Sequence, residues 1–230
     1  MANGSFISAP QTQLRVASVD QMLSRAPADA QSWLAPSEWQ RCQRLMAPQR
    51  RSHYLAGHWL LRELLAPYRR NPTEPWQIID RPSLPPTIAD RPELFLSLSH
   101  SGPWIACAVS TAPIGIDLEQ RRPRPALAGF DQLLRNPDEP ADSLDLDALL
   151  QRWVVKEAFI KRDCGSALPE RLAELHLHAS GEPGCVCLWE HSQFLLGSTD
   201  HQVRPLVASA VPGDQPRVLQ HWRVVDRGMR

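Results

Sequence analysis

Read for its alternation of apolar and polar positions, the chain predicts helices in its first third and mostly strands beyond. Residues 1–30 are polar and irregular and predict no regular element. A helix is predicted over about 37–45 and a longer one over about 48–65. In the second, Leu55, Ala56, Trp59, Leu60 and Leu64 recur at three- and four-residue steps, and Pro67 ends the pattern. The proline-rich stretch 71–92 reads as loop, with a short strand around 76–79.

A period of two follows. Leu94, Leu96 and Leu98 alternate with Phe95, Ser97 and Ser99, which marks a strand. Ser101-Gly102-Pro103 is a turn, 104–110 a second strand, Thr111-Ala112-Pro113 another turn and 114–119 a third strand. Such short connections predict an antiparallel meander, in which His100 and Glu119 end their strands at the same edge. After a Pro/Asp-rich loop over 123–142, a helix is predicted over about 144–163, with Gly165 placed to cap it. Short strands are predicted at 172–178, 185–189, 193–196, 205–211 and 217–225. The fold class is therefore α+β, without an internal repeat.

Composition narrows the functional classes. The chain has 230 residues, 43% of them hydrophobic, and eight tryptophans, which suits one large or two small packed domains. Its formal net charge is zero, so no global basic field favours nucleic acid or an anionic membrane. No apolar run reaches the length of a membrane span, and the start lacks a leader pattern; the expectation is a cytoplasmic protein. Cys42, Cys107, Cys164, Cys185 and Cys187 are scattered and odd in number, unlike a disulfide framework. Cys185 and Cys187, two apart, should share one face of a strand as core residues.

The candidate chemistry lies in three short segments. Of 25 lysines and arginines only Lys156 and Lys161 are lysine, both within WVVKEAFIKR at 153–162. An ammonium is a compact point charge where a guanidinium is a planar fork, so a crowded site with a metal and a phosphate can need it. Asp117 and Glu119 are two apart on a predicted strand and face one side. Paired carboxylates repel unless a cation or proton separates them, and oxygen ligands of this kind suit Mg²⁺; a solvated strand edge is the plainer alternative. Glu157 interrupts an apolar helical stripe of Leu146, Leu150, Trp153 and Ile160, with Lys161 one turn on. A surface Glu–Lys pair is one explanation. The other is that Asp117, Glu119 and Glu157 surround one divalent ion while Lys161 meets a phosphate. Ser99 and His100 point to opposite faces of their strand, so they are no nucleophile–base pair, yet both can donate to an anionic ligand.

Taken together, SLSHS (97–101), PIGIDLE (113–119) and WVVKEAFIK (153–161) resemble in order, spacing and context the 4′-phosphopantetheinyl transferases of the longer, monomeric, surfactin-synthetase-activating type. Weaker similarity extends upstream through RCQRLMAPQRRSHYLAGHWLLR (41–62). The resemblance implies transfer of 4′-phosphopantetheine from coenzyme A to a serine of an apo acyl or peptidyl carrier protein, releasing adenosine 3′,5′-bisphosphate. It implies Mg²⁺ held by Asp117, Glu119 and Glu157, with Glu157 also acting as base and Lys161 on the transferring phosphate. Ser99 and His100 match residues around the coenzyme A 3′-phosphate. Arg41, and more loosely Arg44, match a basic residue that holds the nucleotide. The implied fold is two similar halves about a pseudo-twofold axis, here 1–112 and 113–230, with the active site between them and the metal site in the second. The chain departs from the family pattern at Asp80-Arg81-Pro82, where Gly-Lys-Pro is common, which leaves Arg81 without an assigned contact. It departs also at His58, where arginine is frequent, and at Ser97, where asparagine is usual. A Mg²⁺-dependent nuclease or phosphohydrolase is the rival reading, but such sites carry Glu-x-Lys on a strand, and Glu157 and Lys161 have helical spacing. A non-catalytic carrier-binding module would be expected to have lost an acid or the lysine.

Overall fold

Hydrophobic residues two apart in the first described segment, Leu14 and Val16, belong to a strand that the sequence reading leaves as irregular chain. The computed structural model describes residues 12–69, 75–82, 84–122, 129–139, 144–163, 168–182, 184–208 and 214–227. In chain order the elements begin with β1 (Thr12–Ser18), α1 (Val19–Arg25), α2 (Pro36–Arg44), α3 (Pro48–Leu65), β2 (Ile78–Ile79) and β3 (Thr87–Ile88). The middle of the chain supplies β4 (Phe95–Ser101), β5 (Trp104–Ser110), β6 (Ile116–Gln120), α4 (Asp131–Leu134) and α5 (Leu146–Arg162). Then follow α6 (Leu168–Glu174), β7 (Leu175–Ser180), β8 (Val186–Glu190), β9 (Phe194–Ser198), β10 (Leu206–Val207) and β11 (Arg217–Asp226). The architecture is α+β, as the pattern predicts. The long helices and the β4–β5 hairpin fall within two residues of their predicted bounds.

Local chemistry explains the main boundaries. Pro48 opens α3 at a position whose N–H has no helical acceptor. Asp145 caps α5, its side chain accepting from the N–H of Ala148 at 2.7 Å. Gly102, at φ 57°, closes the β4–β5 hairpin in a conformation that a side chain disfavours. The proposed cap Gly165 lies outside the described residues, as do Cys164 and residues 209–211 of one predicted strand.

Four expectations need correction. β1 and α1 occupy part of the stretch read as irregular, because β1 draws its order from pairing with β5 along its whole length, a partner ninety residues away. Residues 172–174 are the end of α6, and β7 starts only at Leu175. The Pro/Asp-rich loop contains the short helix α4. Finally, β6 is no third strand of a meander. The strand orders are β10-β1-β5-β4 in one sheet and β6-β9-β8-β11-β7 in a second, so β6 leaves its hairpin and pairs antiparallel with β9. Gly115 permits this departure. A Cβ there would lie 2.0 Å from the carbonyl oxygen of Ala158 and 2.4 Å from the amide nitrogen of Arg162, so only a bare backbone passes α5 so closely.

Of the four buried clusters among the described residues, three seat the long helices and join the sheets. One, with Leu60, Leu61, Ile105 and Val109, seats α3 on the first sheet; another, with Leu150, Val154, Leu188 and Leu195, seats α5 on the second. The third joins the two sheets through Leu14, Val16, Ala106 and Ala108 on one side and Ile116, Leu118, Phe194 and Leu196 on the other. Cys187 sits in this third cluster, whereas Cys185 precedes β8 and packs against the cluster under α5, so the two do not share a face. The described cysteines Cys42, Cys107, Cys185 and Cys187 are free thiols. Among the described residues no helix is long and apolar enough to cross a membrane.

Candidate active site

The edge strands β4 and β6 lie side by side, one from each sheet, and serine hydroxyls join them. Ser97, Ser99 and Ser101 recur at the strand period and so face one way. Ser97 Oγ accepts from the N–H of Ile116 at 3.0 Å, and Ser99 Oγ accepts from that of Leu118 at 3.1 Å. Ser99 also donates to Asp117 Oδ1 at 2.8 Å, and Ser101 donates to Glu119 Oε2 at 2.5 Å. The two acids of the GIDLE segment thus stand on one row, each held by a serine of the neighbouring strand.

From the other side α5 brings Glu157 and Lys161. Lys161 Nζ donates to Asp117 Oδ1 at 2.6 Å and to Ser99 Oγ at 3.3 Å, and lies 3.9 Å from Glu157 Oε2. Burial works against the Lys161 ammonium, but Asp117 and Glu157 outweigh it and raise its pKa. Burial, followed by the nearby Asp117, pushes the Glu157 carboxyl up to about 7. A carboxyl in that range is matched to proton transfer near neutrality. Asp117 Oδ2 is buried without a hydrogen-bond partner. Asp117, Glu157, Lys161 and Ser99 therefore share one site, with Glu119 beside it on the same strand. The Lys161 ammonium lies between Asp117 and Glu157, and among the described residues no three His, Cys, Asp or Glu side chains are arranged closely enough to hold a metal ion.

The two lysines divide their work. Lys156 is fully buried on another side of α5, where it donates to the carbonyls of Leu133 at 2.8 Å and Leu172 at 2.6 Å. It clamps α4 and α6 to α5 and has no part in the acid cluster. Burial, then Arg152, lowers its pKa to about 8. The expectation that both lysines serve one crowded site is wrong for Lys156; only Lys161 stands beside the acids.

Lys161, Ser97, Leu98, Ser99 and His100 form one wall of a cleft of about 580 Å³, a size that suits a cofactor-sized ligand. The opposite wall comes from α3, Asp80 and residues 84–86. His100 stacks on His53, ring centroids 4.6 Å apart, and burial followed by His53 and Lys161 lowers its pKa to about 4, which leaves it neutral at pH 7. Arg41 lines the cleft and is held by Asp80 Oδ1 at 2.6 Å and the Arg81 carbonyl at 3.1 Å. Arg44 and Arg81 are exposed and are not among the residues that line the cleft. Asp80 Oδ2 accepts from Tyr54 at 2.7 Å, and His58, stacked on Tyr54, reaches Glu38 at 2.5 Å.

Arg50, His53, Tyr54, His58 and Asp80 all line this cleft; the sequence reading misses the first three and names His58 and Asp80 only as departures from the family pattern. A signal for the first four exists: positions 50, 53, 54, 57 and 58 form a stripe at helical spacing, polar except for Gly57, beside the apolar stripe of α3. Asp80 has no signal in periodicity, because it reaches the cleft from a segment without any; only the family pattern marks its place.

No protein-family model matches the chain. Among known proteins it is similar to the 4′-phosphopantetheinyl transferase Sfp of Bacillus subtilis (strain 168), 28% identical over 161 residues that cover 66% of this chain and 70% of that protein. It is also similar to the 4′-phosphopantetheinyl transferase ffp of Bacillus subtilis, 27% identical over 71% of this chain and 75% of that protein. A shorter match, 39% identical over 82 residues, or 34% of the relative's length, is to the 4′-phosphopantetheinyl transferase psf-1 of Bacillus pumilus.

Proposed function

We propose that this chain, a member of the Sfp-type 4′-phosphopantetheinyl transferase family, transfers 4′-phosphopantetheine from coenzyme A to a serine of an apo acyl or peptidyl carrier protein. The products are the holo-carrier and adenosine 3′,5′-bisphosphate. One observation carries the reading: Lys161 lines the 580 Å³ cleft while bonding Asp117 and lying 3.9 Å from Glu157. A cofactor-sized space therefore ends at a cation and a buried carboxyl.

In the reaction, the carrier serine oxygen bonds the β-phosphorus of the pyrophosphate. The P–O bond to adenosine 3′,5′-bisphosphate breaks, and the serine proton passes to a base. We assign Glu157 as that base, directly or through a water, on the strength of its place 3.9 Å from Lys161, which lines the cleft. Lys161 offsets charge on the transferring phosphate. Arg41, His100 and Ser99, which line the cleft, hold the nucleotide portion.

In kind, the donors suit Mg²⁺, although the Lys161 ammonium lies between Asp117 and Glu157 and the three acids are not gathered closely enough to hold it as they stand. Asp117 offers a buried oxygen without a hydrogen-bond partner, and Asp117, with Glu119 a smaller contributor, adds to burial in raising Glu157. Asp117, Glu119 and Glu157 would hold the ion through hard oxygen ligands. Mg²⁺, when bound, supplies charge neutralisation to the pyrophosphate.

The reading extends to architecture. We infer two similar halves, 1–112 and 113–230, with the cleft and the acids at their junction. In support, each half seats one long helix, α3 or α5, on its own sheet, although β10 returns to pair with β1. We further infer that the protein acts as a monomer in the cytoplasm, a reducing compartment that suits its free thiols. The test is direct. Incubated with coenzyme A, Mg²⁺ and a panel of apo acyl and peptidyl carriers, the protein should add one phosphopantetheine to at least one carrier, read by intact mass. No mass gain on any carrier overturns the proposal.

A further inference from the structure

We propose that Ser101 is a positioning residue, which holds the Glu119 carboxylate in place for a bound divalent cation as Ser99 holds that of Asp117. This inference rests on the proposed function above. It starts from an oddity of the β4–β6 seam. An edge strand presents a row of N–H groups that normally finds a neighbouring backbone. On β6 the N–H groups of Ile116 and Leu118 instead reach serine oxygens of β4, so side chains replace a backbone ladder. A backbone ladder would fix only the strands. Hydroxyls also carry a proton to give, and those of Ser99 and Ser101 give it to Asp117 and Glu119.

The geometry is periodic on both strands. Residues two apart on β4 match residues two apart on β6, so successive serines meet successive acids. Ser99 is saturated: it donates to Asp117 and accepts from Leu118 and Lys161, the full capacity of a hydroxyl. With Ser99 and Lys161 both on Oδ1, the second oxygen Oδ2 is the one left for a cation. Ser101 has the same relation to Glu119 through Oε2, and the Gly102 turn that follows fixes where its backbone ends. Ser97 is the internal control. It accepts from Ile116 and so joins the strands, but no carboxylate of the site receives its proton.

The experiment compares Ser101→Ala with Ser97→Ala, using Mn²⁺ as the probe, titrated by electron paramagnetic resonance in the presence of coenzyme A. Partners that orient metal ligands typically account for about 10–100-fold in affinity or activity. Ser101→Ala should therefore weaken Mn²⁺ binding by at least about tenfold, and lower kcat on the carrier while leaving KM for coenzyme A close to that of the unaltered protein. Ser97→Ala should lower the melting temperature to a similar extent yet keep its Mn²⁺ affinity. Should the alanine variant of Ser101 be unstable, Ser101→Cys, of similar size with a weaker donor, should show the same loss. Equal losses of Mn²⁺ affinity in the Ser97 and Ser101 variants would reduce the serines to strand joints and overturn the proposal. So would unchanged affinity in the Ser101 variants. A wild-type protein that modifies its carrier but takes up no Mn²⁺ overturns the cation assignment and the positioning role with it. One that fails to modify any carrier but shows the Ser101-specific loss overturns only the transferase reading.

Discussion

Two regions of this molecule bury carboxylates, and they do so in opposite ways. Beneath the cleft, Glu38 is fully buried and accepts from the Ala35 N–H at 2.7 Å, from His58 at 2.5 Å and from both terminal nitrogens of Arg62 at 2.9 and 2.5 Å. Burial raises its pKa, yet the hydrogen bonds of His58 and Arg62 prevail and lower it. At the seam, Glu157 is nearly as buried, but its closest charged neighbours include another acid, and its carboxyl is pushed up to about 7. Asp117 keeps a buried oxygen without a partner. A buried charge is tolerable when paired and hydrogen-bonded. The first region meets that condition within the protein and is scaffold. The second does not, and under-satisfied acids beside a cleft are the mark of a site that completes itself with a ligand.

This contrast can be broken from the side of chemistry or from the side of stability. The largest effect should come from Glu157→Gln, which keeps the shape and removes the proposed base. Transfer to the carrier should fall about a thousandfold with an unchanged circular dichroism spectrum, and normal transfer in a mass assay would remove Glu157 from the mechanism. Next in size, Glu38→Ala leaves the Arg62 guanidinium buried without its partner and should cost about 3–5 kcal/mol in urea unfolding. A loss under about 1 kcal/mol would show that the network is ornamental rather than scaffold. Gly115→Ala places a Cβ 2.0 Å from the Ala158 carbonyl oxygen and should cost about 3 kcal/mol. It should also lower transfer, because β6 and α5 must separate and take Asp117 from Lys161; a variant as stable and active as the parent would refute the close-approach role.

The smallest effect concerns Lys156, whose pKa burial lowers from 10.5 to about 8. Between these values the unfolded chain binds the extra proton, so folding stability should rise with pH from about 8 to about 10.5, by roughly 2 kcal/mol. Below pH 8 both states carry the charge and this slope disappears. Lys156→Met should lack the rise in denaturant titrations across that range. An identical slope in both proteins would mean that other groups produce it.

Much of the site was legible before any coordinates. Asp117, Glu119, Glu157 and Lys161 sit in segments whose periods of two and of three to four show which way each side chain faces. A carboxylate on an apolar stripe already implies a partner. The walls of the cleft were harder to see. Asp80 arrives from a proline-rich segment, and Arg50, His53 and Tyr54 lie on a helix whose apolar face dominates its pattern. The strand β1 was hidden because it contains few apolar residues and owes its order to β5 and β10.

The sequence by itself determined the α+β class, the long helices α3 and α5, the β4–β5 hairpin and the residue types that can meet a phosphate and a cation. Those follow from local periodicity and side-chain chemistry, which act over a few residues. Only the tertiary structure decided that β6 crosses to β9, that Lys156 and Lys161 part company, and that serines of one sheet hold the acids of the other. Periodicity tells which face a residue occupies but not what stands opposite. The opposing surface is selected by long-range packing, here by a bare glycine backbone against α5 and a core shared between two sheets.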